Sequence, residues 1–213
     1  MRSELRFIAV EGPVGVGKTT LAKRLAETFG TGLVLQSPAD NPFLPRFYTD
    51  PHRYALASQL SFLFQHVEQM KAAAQSDLFS AVRVSDYLLQ ADRLYAQVNL
   101  SAEELRLYEL VYAQIVQELP APDLVIYLQA PTPVLLHRIE RRGHRYEHGI
   151  THDYLARLAQ AYVEYFHRYN GAPLLIVNTA QIDLADNDDD YALLLERIDH
   201  GIAGRQFFNP LKR

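Results

Sequence analysis

The sequence predicts a three-layer α/β fold, a five-stranded parallel sheet flanked by helices. Two observations carry that expectation. Short, nearly continuous apolar runs recur at "FIAV" (7–10), "LVL" (33–35), "AVRV" (81–84), "LVIYL" (124–128) and "LLIV" (174–177), as suits strands buried on both faces. Segments of helical periodicity separate these runs, and alternating strands and helices imply right-handed crossovers over a parallel sheet.

Each helix has its own local signal. Residues 18–29 follow the first strand directly. In 54–72, Ala57, Leu60, Phe64, Val67 and Met70 recur at three- and four-residue steps and make one apolar stripe. Ser101 with Glu104 forms a capping box, and Leu105, Tyr108, Val111, Tyr112, Ile115 and Leu119 continue a stripe behind it. Thr132 and Pro133 read as an N-cap with proline at the first helical position, opening a helix to about Arg141. Two more helices fit about 152–169 and 190–202, the last preceded by "DNDDD" (186–190), whose negative charge suits a helix N-terminus.

Composition narrows the function. The chain has 213 residues, 48% of them hydrophobic and 22% charged, which fits one soluble domain spanning 1–213. A formal charge of −4 offers no electrostatic footprint for nucleic acid or an anionic membrane. With no cysteines, disulfides, thiolate catalysis and cysteine-based zinc sites are excluded. No apolar run approaches the roughly 18 residues of a membrane span, and "MRSELRFIAVEG" is too short an apolar run for a signal peptide. The expectation is a cytoplasmic protein.

The strongest motif is "GPVGVGKT", Gly12 to Thr19, immediately after a strand and opening a helix. This is the G-x-x-x-x-G-K-[ST] phosphate loop in its confirming context. Gly12, Gly15 and Gly17, with Val14 and Val16 between them, let backbone N–H groups converge on phosphate oxygens. The helix N-terminus beginning at Lys18, Thr19 and Thr20 adds its partial positive charge. Lys18 would reach the outer phosphates and the Thr19 hydroxyl would ligate Mg²⁺. Asp86, just past the strand in "AVRVSDY", stands where an acidic residue approaches the magnesium shell.

A third feature is "HRIERRGHR". Arg138 and Arg142 share one helix face, Gly143 can end the helix, and Arg145 follows in a loop. Together they make an arginine-rich lid at about 138–150 that could stabilise charge on a transferring phosphate. His144, His148 and His152 have four-residue spacing, but Gly143 and Gly149 argue against one helix running through them.

With these features in register, the sequence resembles the deoxynucleoside kinases, and most closely their bacterial branch. The likeness runs from "FIAVEGPVGVGKTT" through "NPFLPRFYTDPHRYALASQLSFLFQ" and "DYLLQADRLYA" to "RIERRGHRYEHGI". It implies phosphoryl transfer from ATP, or another nucleoside triphosphate, with Mg²⁺ to the 5′-hydroxyl of a deoxyribonucleoside, purines favoured, by a homodimer. It also implies roles for single residues. Tyr48 and Glu147 match the groups that hold the sugar 3′-hydroxyl, while Gln65 and Asp92 match those facing the base. Phe62 and Phe64 are candidates for the pocket wall.

Two positions depart from the family pattern. A Glu-Pro pair usually ends the second strand, and its glutamate accepts the 5′-hydroxyl proton. Here, in "VLQSPAD", the matching pair is Ser37-Pro38, with Asp40 close by. An Asp-Arg-Ser or Glu-Arg-Ser motif usually follows the third strand, where this chain has Asp86-Tyr87-Leu88. The expectation is therefore a kinase using Lys18, Asp86 and Arg142 in catalysis, with Ser37 and Tyr87 beside the acceptor and Asp86 as substitute base. Two alternatives stay open: a nucleotide-binding regulatory protein with little turnover, and a nucleoside-monophosphate kinase.

Overall fold

The computed structural model describes residues 5–75, 83–116 and 120–210. Leu119, and Ala81 and Val82 of the third apolar run, lie outside the described residues. Among the described residues, six strands form one wholly parallel sheet: β1 (Phe7–Glu11), β2 (Gly32–Val34), β3 (Arg83–Ser85), β4 (Leu124–Gln129), β5 (Leu174–Asn178) and β6 (Arg205–Phe208). Their order across the sheet is β2-β3-β1-β4-β5-β6. The sequence predicts five of these strands. β6 escapes because it is a four-residue edge strand, with Arg205 and Phe207 exposed, and so lacks the apolar run of a strand buried on both faces.

The helices are α1 (Lys18–Phe29), α2 (Leu44–Phe47), α3 (Pro51–Gln75), α4 (Asp92–Asn99), α5 (Ala102–Ile115), α6 (Thr132–Arg142), α7 (His152–Arg168) and α8 (Asp188–Asp199). Alternation along the strands sends side chains to two cores. Ile8, Val10, Ile126, Leu128 and Val177 pack against α1, α6 and α8 through residues such as Leu21, Leu25, Leu135 and Leu194. Ala9, Val125, Tyr127 and Ile176 pack on the other face against Leu94 of α4 and Leu158, Tyr162 and Phe166 of α7.

Local signals hold where the chemistry is local. Ser101 and Glu104 form the reciprocal capping box of α5. Asn187 accepts from the N–H groups of Asp189 and Asp190, so the acidic run caps α8. Gly143 ends α6 in the left-handed region at φ 68°. Pro131, one residue earlier than expected, takes the N-cap of α6.

α3 departs from its expected stripe. Its buried positions include Ala55, Ser58, Gln59, Leu63, His66, Val67 and Met70, whereas Phe64 is 48% exposed. The face turned inward is partly polar because it walls a cavity as well as a core. An apolar pattern alone cannot locate such a face.

Candidate active site

The phosphate loop connects β1 to α1 at the C-terminal edge of the sheet, where loops of an open α/β sheet form ligand crevices. Gly15 has φ +84°, and a Cβ there would lie 2.7 Å from Ile139 Cγ1 and 2.9 Å from the Leu135 carbonyl oxygen. Only glycine lets the loop settle onto α6. Lys18 Nζ donates to the Gly12 carbonyl at 2.7 Å and more weakly to that of Pro13 at 3.4 Å. Burial holds the Lys18 ammonium below its usual proton affinity, while the charges of Glu11 and Asp86 push it back up.

Asp86 is 1% exposed and ties three segments together. Its Oδ2 accepts from the Thr19 hydroxyl at 2.5 Å and its Oδ1 from the Gln36 backbone N–H at 2.7 Å. Thr19 and Asp86 thus form a pair of hard oxygen donors beside Lys18, the ligand type that Mg²⁺ takes.

Glu11 is a buried carboxylate that sequence reasoning missed. Its oxygens accept from the N–H groups of Gly12 and Leu88 and from the Tyr162 hydroxyl, at 2.8, 2.7 and 2.9 Å. Burial pushes its carboxyl up, and Lys18 opposes that shift. Its place at the end of a strand, one residue before the first loop glycine, was the available signal.

On one side of the loop lies a cleft of about 440 Å³. Gly15, Val16, Gly17 and Thr20 form its floor, and Arg138, Arg141 and Arg142 of α6 form one wall. Thr179, Ile182, Asp183, Leu184 and Ala185, after β5, close the other side. Arg138 donates to the Val16 carbonyl at 3.2 Å, to the Thr179 hydroxyl at 3.0 Å and to the Thr179 carbonyl at 2.8 Å. It thereby fastens the loop to the β5 segment. Arg141, which sequence reasoning passed over, faces this cleft, whereas Arg145 is exposed and lines neither cavity.

On the other side is a second cavity. Val14 and Lys18 come from the loop, Gln36 and Pro38 from the segment after β2, and Phe47 and Tyr48 from α2 and its end. Gln59, Phe62 and His66 line it from α3, Asp92 and Tyr95 from α4, and Tyr146, Glu147 and Tyr154 from the lid and α7. Tyr48, Asp92 and Glu147 stand together as expected, and Val14 faces this cavity rather than the cleft.

The lid separates the two spaces. Arg142 of the cleft donates from both edges of its guanidinium to Glu147 of the cavity, with Nε 3.1 Å from Oε2. Glu147 is 5% exposed. The lid packs directly on Tyr48: a Cβ at Gly149 would come within 2.7 Å of the Tyr48 Cβ and carbonyl oxygen.

Several expected residues lie off the cavity wall. Gln65 is not on the cavity wall; its Nε2 donates to the Ser37 carbonyl at 3.3 Å. The α3 glutamine that lines the cavity is Gln59, which shares a helix face with Phe62 and His66 through three- and four-residue steps. Ser37 does not line the cavity either, whereas Gln36, its neighbour, does. Tyr87 is 1% exposed and lies behind the wall, its ring stacked on His66 at 4.1 Å and its hydroxyl donating to the His66 carbonyl at 3.2 Å. Phe62 lines the cavity, and Phe64 points to solvent.

A deoxynucleoside kinase family model matches residues 8–203. The chain is 36% identical over 157 residues to the deoxyguanosine kinase of Bacillus subtilis, covering 73% of this chain and 76% of that protein. It is 29% identical over 209 residues to the deoxyadenosine kinase of Lactobacillus acidophilus, covering 92% and 95%. A solved deoxyadenosine kinase from M. mycoides with bound dATP superposes with a TM-score of 0.78 at 24% identity, over 91% of this chain and 99% of that one. A phosphate loop between two cavities, within a family match over most of the chain, makes this protein a member of the deoxynucleoside kinase family and a phosphotransferase.

Proposed function

We propose that the protein transfers the γ-phosphoryl group of ATP, with Mg²⁺, to the 5′-hydroxyl of a purine deoxyribonucleoside, deoxyguanosine first and deoxyadenosine second. One observation carries this reading: Lys18 lines the second cavity, while the loop it belongs to floors the cleft. A group between two binding spaces can meet the phosphoryl group as it passes from one to the other. The order of bases follows from the 36% identity to a deoxyguanosine kinase.

The residues present fit both absent groups. The cleft offers loop N–H groups and three arginines to a triphosphate. Thr19 and Asp86 would hold Mg²⁺, which binds through one or two protein oxygens plus phosphates and water. When bound, the ion neutralises charge on the phosphates. Lys18 and Arg142 supply fixed positive charge at the junction. Tyr48 and Glu147 would take the sugar 3′-hydroxyl, and Gln59, His66 and Asp92 would face the base.

Where the family resemblance implies a carboxylate, the cavity presents Gln36, an amide without a basic lone pair. Asp86 is the carboxylate nearest by contact, through the Gln36 N–H, and we assign it the proton. A general base is worth about 10²–10⁴-fold, and phosphoryl transfer relies mainly on positioning and charge. Turnover therefore survives the amide at reduced rate. The resemblance also implies a cytoplasmic homodimer. Exposed Leu107 and Leu110, one turn apart on α5, are an apolar face that supports the dimer, and light scattering reads it directly.

Steady-state assays with Mg·ATP and each of the four deoxynucleosides test the function. Monophosphate product from deoxyguanosine or deoxyadenosine is expected, at higher kcat/KM than from thymidine. Nucleoside binding without product from any of the four contradicts the kinase reading.

A further inference from the structure

Arg24 and Thr28 lie four residues apart, hence on one face of α1, the helix that the phosphate loop opens. That face meets the stretch between β5 and α8. Arg24 donates through Nη1 to the carbonyl oxygens of Leu184 at 3.2 Å and Ala185 at 3.0 Å, and through Nη2 to Asp188 Oδ1 at 2.5 Å. Its guanidinium carbon lies 4.0 Å from the centroid of the Tyr191 ring, and the Tyr191 hydroxyl is 2.7 Å from that of Thr28. These contacts do not weigh alike. The Asp188 side chain is 96% exposed, so water screens the ion pair and it contributes little. The bonds to the two carbonyls are part-buried, and a charged donor shielded from water counts for more.

The two carbonyls matter because of where their residues stand. Leu184 and Ala185, with Ile182 and Asp183, close one side of the cleft. This stretch satisfies N–H groups from within. Asp183 Oδ1 accepts from the N–H groups of Ala185 and Asp186, and Asp190 accepts from that of Asp183. Its carbonyls at 184 and 185 turn to Arg24 instead. Arg138 clamps the near end of the stretch at Thr179, and Arg24 clamps the far end. Arg24 itself is not among the described residues that line the cleft; it acts through the backbone it holds.

Resting on the kinase reading, we propose that Arg24 is a positioning residue for the phosphoryl donor: by tying the Leu184–Ala185 backbone to α1, it fixes the wall against which the donor's base packs. The loop N–H groups and the arginines of α6 suit the phosphates. Ile182, Leu184 and Ala185 offer an apolar surface, which suits a base. Because α1 carries the loop at its start and Arg24 further along, one rigid element sets both the phosphate site and the wall. The guanidinium fork serves two carbonyls and a carboxylate while lying over Tyr191. A lysine ammonium reproduces that arrangement only in part.

The test compares two ligands of one phosphate site. Calorimetry gives the Kd of Mg·ATP and of Mg·tripolyphosphate, which has the phosphates and no base, for the wild type, Arg24→Met and Arg24→Lys. Arg24→Met keeps an unbranched stem and loses every donor. It should bind Mg·ATP about tenfold more weakly and tripolyphosphate as tightly as the wild type. In steady state its KM should rise for ATP and not for deoxyguanosine. Arg24→Lys should recover part of the loss. A parallel loss of ATP and tripolyphosphate binding would show that Arg24 merely supports the loop, and an unchanged ATP affinity would show that the wall stands without it. Either result overturns the role of Arg24 and leaves the kinase reading intact. Wild-type protein that forms no monophosphate from any deoxynucleoside overturns the kinase reading, and the donor role of this wall with it.

Discussion

Gln36 and Asp86 meet at the edge of the second cavity, where the proposed function puts the acceptor hydroxyl. The Gln36 N–H donates to Asp86 Oδ1, and Asp86 Oδ2 accepts from Thr19. Gln36→Glu would place a carboxylate on the cavity wall beside Asp86, and kcat should rise by up to the 10²–10⁴-fold of a positioned base. Ser37→Glu should give no such gain; equal gains from both would show that the segment after β2 is read one residue out. Glu11 makes a different prediction. Glu11→Gln keeps the shape but turns an accepting oxygen into a donor facing a buried N–H, which should cost about 1–3 kcal/mol in denaturant unfolding. Burial raises the Glu11 carboxyl from its ordinary 4.5, so the folded state binds this proton more tightly than the unfolded chain. Its contribution is full below pH 4.5 and is lost as pH rises through the raised value. In Glu11→Gln that part of the pH dependence should vanish.

At the scale of elements, α6 does two jobs with one face. Arg138 fastens the phosphate loop to the segment after β5, and Arg142 reaches the lid. Arg138→Ala removes three hydrogen bonds from a charged donor, and a loss of about 2 kcal/mol would lower Tm by roughly 4–8 °C in a chain of this size. An unchanged Tm would show that Arg138 is free to swing toward phosphate. Glu147→Ala breaks the buried partner of Arg142 and opens the acceptor side. KM for the nucleoside should rise about 10- to 100-fold with a smaller change in KM for ATP, and equal changes in both would place Glu147 outside the acceptor site.

The same elements explain what was legible in the sequence. The phosphate loop, the caps of α5 and α8 and the stop at Gly143 depend on neighbours within a few residues, so spacing alone finds them. Asp86 was legible because it follows a strand. Gln59 and Gln36 were not, because each depends on which way a backbone faces. A glutamine at 65 and one at 59 lie on different faces of α3, and only the packing of α3 against α4 and α5 decides which is inside. The sheet edge hid β6 for a related reason: a strand with one neighbour carries a weak apolar signature.

Across the whole molecule, the sheet order sets the site. β1 and β3 lie side by side, so the phosphate loop and Asp86 emerge together, and β4 and β5 bring the lid helix and the Thr179 segment to the other flank. In the proposed function Lys18 lies on the path between cleft and cavity. A single-turnover reaction tests it: enzyme loaded with Mg²⁺ and γ-labelled ATP is mixed with deoxyguanosine, and the label is followed. The wild type should move the label to the nucleoside 5′-position, and Lys18→Ala should do so about 10²–10³-fold more slowly. Label released only as inorganic phosphate would contradict transfer to the nucleoside, and transfer by Lys18→Ala at the wild-type rate would place Lys18 off its path.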